Sequence, residues 1–66
     1  MVDGKKIRSL REAANIKQVD LADCTGVSQK MISLIESGIR QPSAISLKLI
    51  AERLGVTMDE LMAAAD

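Results

Sequence analysis

A compact all-α domain of five short helices is what this 66-residue chain predicts, and three observations predict it. Apolar residues recur at the helical period five times, with Gly, Asn, Ser or Pro between the runs. No run alternates apolar and polar residues as a half-buried strand would. The connections are short, so helices of about two turns must pack at steep angles around one small core. The length fits a single domain over residues 1–66. A hydrophobic fraction of 47% argues against disorder. Phe, Tyr and Trp are all absent, so Leu, Ile, Val, Ala and Met must build the core.

The elements follow in order. A first helix covers about residues 3–14, with Ile7, Leu10 and Ala14 on its inner face, and Asn15 suits the left-handed stop after it. A second covers 18–25, with Leu21 and Ala22 inward and Gly26 as its end. Ser28 is a good N-cap for a third helix over 29–37, with Ile32 and Ile35 inward and Gly38 as the stop. Ser43 caps a fourth over 44–54, where Leu47, Ile50, Ala51 and Leu54 share one face before Gly55. Thr57 and Glu60 form a capping box opening a fifth helix over 58–64, anchored by Leu61. Residues 63–66 are expected to fray.

Residues 18–38, QVDLADCTGVSQKMISLIESG, then read as two amphipathic helices joined by a tight turn. That is a helix-turn-helix, a shape that can push one helix into the major groove of DNA. Other chemistries find little support. There is no His, no Cys–His pair, no Gly-rich phosphate loop and no metal-ligand cluster, so no enzyme, cofactor or metal is expected. Cys24 is a lone cysteine with no partner for a disulfide, a metal or redox sensing. Without aromatic rings the chain is poorly equipped to stack single-stranded bases. No signal peptide or membrane span is visible, which gives a cytoplasmic expectation.

The charge balance is the weak point of a DNA reading. Nine basic and nine acidic residues leave a net charge of zero. Their distribution is uneven: residues 1–40 carry a net +2 and residues 41–66 a net −2. Affinity for DNA should therefore be modest and strongly salt-dependent.

The order of features resembles the lambda-repressor-like helix-turn-helix family (Cro-type, XRE-like), which includes phage repressors and restriction-modification controller proteins. The likeness is carried by Ile7-Arg8-x-Leu10-Arg11 and Ile16-x-Gln18-x-x-Leu21-Ala22. It continues through Gly26-Val27-Ser28-x-x-x-Ile32-x-x-Ile35-Glu36-x-Gly38 and Pro42-Ser43. Leu47, Ile50-Ala51, Leu54-Gly55-Val56 and Asp59-Glu60-Leu61 complete it. The resemblance covers nearly the whole chain. It implies a bacterial or phage origin and makes the third helix the recognition helix.

On that helix the outward positions are Gln29, Lys30, Ser33, Leu34 and Ser37. Gln29 can pair bidentately with adenine, and Lys30 can reach a guanine edge or a phosphate. Ser33 is short and adaptable. Leu34 can meet a thymine methyl or pack on the loop near Ile39. Lys17, Gln18, Ser37, Arg40 and Gln41 suit phosphate contacts, which position a protein without reading sequence. The resemblance further implies a structural ion pair between Arg11 and Glu36, locking the first helix to the third.

Two departures from the family stand out beside Leu34. Lys17 replaces the usual N-capping Ser, Thr or Asn, although lysine accepts no hydrogen bond and opposes the helix dipole. Ile45 and Leu49 fall opposite the buried face of the fourth helix, where the family tends to be polar. They mark a dimer or partner surface, or are covered by a neighbouring segment. Family dimers often use the last helices, which adds Met58 and Met62, with Leu61 assigned to the core.

The function expected is sequence-specific binding of double-stranded DNA as a small transcriptional repressor, acting as a homodimer on a two-fold site. No membrane partner and no small-molecule effector are expected. The alternative is a protein-interaction module that keeps the fold with weak or no DNA binding.

Overall fold

The computed structural model describes residues 1–62. Among these residues it holds four α-helices: α1 Gly4–Ala13, α2 Gln18–Thr25, α3 Gln29–Glu36 and α4 Ala44–Leu54. A single 3₁₀ turn, Asp59–Leu61, follows α4 where a fifth helix was expected. The sequence expectation is corrected there for a physical reason. The capping box does form: the Thr57 amide donates to Glu60 Oε2 and the Glu60 amide donates to Thr57 Oγ1, both at 3.2 Å. After one turn, however, the Leu61 carbonyl accepts from the Asp3 amide at 2.8 Å. Met62 becomes extended and forms an antiparallel bridge with Val2. Long-range pairing with the start of the chain thus takes the acceptor that the next helical turn would use. The remainder of the fifth-helix expectation, and the fraying of 63–66, lie outside the described residues.

The other helix ends follow local chemistry. Asp3 Oδ1 accepts from the Lys5 amide at 3.1 Å and the Lys6 amide at 3.3 Å, opening α1. Ser28 Oγ and Ser43 Oγ each accept an amide three residues on at 3.1 Å, from Met31 and Ser46. Asn15, at φ 58°, closes α1 in the left-handed conformation. The Ile16 amide then bonds back to the Arg11 carbonyl at 3.0 Å. Ala14 is exposed rather than inward, because α1 stops one residue earlier and Ile16 takes the buried place.

Each element contributes an inaccessible side chain to one core: Ile7 from α1, Leu21 from α2, Ile32 and Ile35 from α3, Ile50 from α4 and Leu61 from the turn. Burying each is worth about 1.5–3 kcal/mol. α2 packs on both α3 and α4, while α1 packs on α3 and touches the 3₁₀ turn. Close approach fixes the α1–α3 packing. Gly4 is buried, and a Cβ there would collide with the Ile35 carbonyl oxygen. The first turn of α1 therefore rests directly on the last carbonyls of α3.

Candidate nucleic-acid interface

The site is organised by a buried polar cluster beneath α3. Arg11 Nε donates to Glu36 Oε2 at 2.6 Å and Arg11 Nη2 to Glu36 Oε1 at 3.1 Å. Arg11 Nη1 donates to the Ile16 carbonyl at 2.8 Å. Gln18 Nε2 adds a further bond to Glu36 Oε1 at 3.0 Å. One carboxylate thus ties α1 and the start of α2 to the end of α3, and Arg11 also holds the α1–α2 connection. The hydrogen bonds it donates to Glu36 hold the Arg11 guanidinium pKa above its ordinary value, against the opposing effect of burial. Removing either member of such a pair strands a buried charge.

That cluster fixes which face α3 shows. Ile32, Ile35 and Glu36 point inward, and Gln29, Lys30, Ser33 and Ser37 are exposed. Leu34 is half-buried, and its carbonyl accepts from the amides of Ile39 at 3.0 Å and Arg40 at 3.3 Å. The loop carrying Arg40 is therefore closed back onto α3, with the Arg40 side chain exposed.

The loop and helix-start residues divide in two. Lys17 is exposed at the N-cap of α2 and makes no side-chain capping bond. The first amide to close onto the helix is that of Leu21, to the Lys17 carbonyl at 3.0 Å, so the amides ahead of it stay available to an anion. Gln18 and Gln41 are differently employed. Gln18 turns its amide group toward Glu36, and Gln41 Oε1 accepts from the Val2 amide at 2.8 Å.

An open groove of about 740 Å³ lies between α1 and α3. Ser33 and Ser37 line one side of it, and Lys5, Arg8 and Ser9 line the other, with Arg11, Gln18 and Glu36 beneath. Lys5, Arg8 and Ser9 did not emerge from the sequence as site residues. Only the packing of α1 on α3 brings them beside the exposed face of α3. Their spacing along α1 is the one signal that was available.

A helix-turn-helix family profile matches residues 7–61. The chain belongs to the lambda-repressor-like helix-turn-helix family. Within it, the P22 c2 repressor in complex with a synthetic operator superposes at a TM-score of 0.90, with 28% identity over 98% of each chain. The biofilm master regulator SinR of Bacillus subtilis, in complex with DNA, superposes at 0.81, with 27% identity over 88% of this chain and 94% of that one. An HTH-type transcriptional regulator of Mycobacterium tuberculosis is 43% identical over 58 residues. That match covers 88% of this chain and 41% of the relative's length.

Apolar side chains are also exposed outside α3. Ile45 on α4 is 75% exposed, and Ile39 in the preceding loop is 69% exposed. Leu49 is half-buried, so the expected Ile45/Leu49 pair presents chiefly Ile45. Met58 is half-buried against the core, and Met62 is 39% exposed beside Val2. Among the described residues no group of three or more potential metal ligands occurs, and no helix is long and apolar enough to cross a membrane.

Proposed function

We propose that this chain binds double-stranded DNA in a sequence-specific manner, with α3 in the major groove, as the DNA-reading part of a transcriptional regulator. The observation that carries the reading is the orientation of α3. The Arg11–Glu36–Gln18 cluster and the Ile32/Ile35 contacts hold its inner face, leaving Gln29, Lys30 and Ser33 free on a rigid support. Gln29 and Lys30 stand in the first turn of α3, where helix-turn-helix recognition helices address base edges. Lys17 and the open amides of α2, with Arg40 and Ser37, take phosphates.

The chain acts on DNA as a pair related by a two-fold axis, reading half-sites about one helical turn apart. A net charge of zero and one short recognition helix leave a single copy with weak affinity. Ile45 is the surface residue assigned to pairing, supported by its exposure. Repression is the mode of action favoured, by analogy with the P22 repressor.

The test is selection of bound sequences from a random duplex pool, followed by a salt-titrated shift assay with labelled DNA. A two-fold motif whose binding is lost in Gln29→Ala plus Lys30→Ala supports the reading. No binding at low salt points instead to a protein partner for the Ile39/Ile45 surface.

A further inference from the structure

We infer that α1 carries a second DNA-backbone site, in which Arg8, flanked by Lys5, binds a phosphate at the mouth of the α1–α3 groove. The inference rests on the DNA-binding reading above and extends its footprint beyond α2, α3 and their loops.

The groove is continuous with the reading face. Ser33 stands one turn after Gln29 on the exposed side of α3, and Ser33 and Ser37 also form the groove wall. A strand bordering the base pairs that α3 reads therefore passes this opening. On the opposite wall stand Lys5 and Arg8, one turn apart on α1. Both are exposed, whereas Arg11 beneath them is committed to the fold, donating through Nε and Nη2 to Glu36 and through Nη1 to the Ile16 carbonyl.

Among the described residues, Arg8 makes one ionic contact, an exposed approach of Nε to Glu12 Oε1 at 3.6 Å, with the two side chains 63% and 56% accessible. Such pairs add little to stability and exchange readily. A guanidinium fork matches two phosphate oxygens, and the charge-assisted bonds it would form are stronger than the contact it gives up. The Ser33 and Ser37 hydroxyls supply neutral donors across the groove. Glu12 lines the same groove and opposes an entering phosphate, which gives the site a residue of each sign to test.

The experiment measures duplex affinity against salt for the unaltered chain, Arg8→Gln, Glu12→Gln, Lys30→Ala and Lys48→Gln. Lys48 is an exposed lysine of α4 that does not line the groove, so it reports the effect of charge alone. Arg8→Gln should lower the slope of log affinity against log salt by about 0.9, the loss of one phosphate. It should weaken selected and random duplexes by the same factor and leave the melting curve unchanged. Glu12→Gln should tighten binding to both duplexes, and Lys48→Gln should change the slope less than Arg8→Gln does. A slope for Arg8→Gln equal to that of the unaltered chain or of Lys48→Gln overturns the inference. If Lys30→Ala weakens binding while Arg8→Gln does not, the inference alone falls. If the unaltered chain binds no duplex at low salt, the DNA reading falls with it. Inorganic pyrophosphate shifting the groove resonances, with duplex binding intact in Arg8→Gln, would assign the groove to a free phosphate compound and overturn the DNA assignment.

Discussion

Arg11 and Glu36 meet through two hydrogen bonds across 25 residues of sequence, and the same carboxylate receives the Gln18 amide. The end of α3 is held from α1 and α2 at once. Under the proposed DNA reading, stability and binding are coupled at this point, because the residues that orient α3 also tie it to α1 and α2.

Glu36→Ala leaves the Arg11 charge buried without its partner. The expected cost is about 3 kcal/mol, typical of breaking a buried pair. For a domain of this size that lowers Tm by roughly 12 °C or more. Glu12→Ala removes only the exposed contact to Arg8 and should cost under about 1 kcal/mol. Thermal melts followed by circular dichroism separate the two. Equal Tm values would show that the Arg11–Glu36 pair adds no more than a surface pair.

Gly4→Ala tests a close approach. Within a helix, Gly to Ala normally stabilises by about 1 kcal/mol. Here the added methyl would meet the Ile35 carbonyl oxygen and the Glu36 carbonyl, which are backbone and cannot rotate aside. Separating α1 from α3 to accept it should cost about 1–3 kcal/mol net. A rise in the denaturation midpoint of Gly4→Ala would overturn the packing described.

Gln41→Ala distinguishes two uses of one side chain. Its Oε1 accepts the Val2 amide at 2.8 Å, holding the start of the chain against the loop after α3. Loss of that bond should cost about 1 kcal/mol and speed hydrogen exchange at the Val2 amide. The salt slope for DNA should stay unchanged if this bond is its main duty. A slope reduced by about 0.9, with Val2 exchange unaltered, would make Gln41 a phosphate contact instead.

These cases show what was legible in the sequence. The boundaries of α2 and α4 could be read because local chemistry sets them: Ser43 accepts its capping bond, and Gly26 and Gly55 take the left-handed turn. The Thr57–Glu60 box was equally readable, yet its helix was overestimated. Nothing local to Leu61 announces that Asp3 will take its carbonyl. Gly4 looks like a poor helix residue until Ile35 is placed above it. Lys5 and Arg8 look like solvent-facing charge until α3 becomes their neighbour. Capping travels with sequence, whereas contacts between distant elements depend on packing geometry that no short window contains.

Ile45→Lys tests the proposed pairing surface. The side chain is 75% exposed, so the substitution should leave Tm within about 0.5 kcal/mol of equivalent stability. Sedimentation should then show loss of the dimer, and affinity for a two-half-site duplex should fall toward that for a single half-site. Leu49 is a worse probe because it is half-buried, and a charge there also disturbs the fold. Unchanged sedimentation of a dimeric parent would move the interface away from Ile45.

Lys17→Ser should separate stability from binding, because the two place opposite demands on this position. α2 begins without a side-chain cap, and a lysine charge there opposes the helix dipole. Serine could accept an α2 amide, as Ser28 and Ser43 do for their own helices. The gain should be about 1 kcal/mol, seen as a higher Tm. The same substitution removes a cation from open amides suited to a phosphate. DNA binding should therefore weaken, with a salt slope smaller by about 0.9. A variant both more stable and equally tight on DNA would mean that Lys17 costs the fold stability without serving the interface.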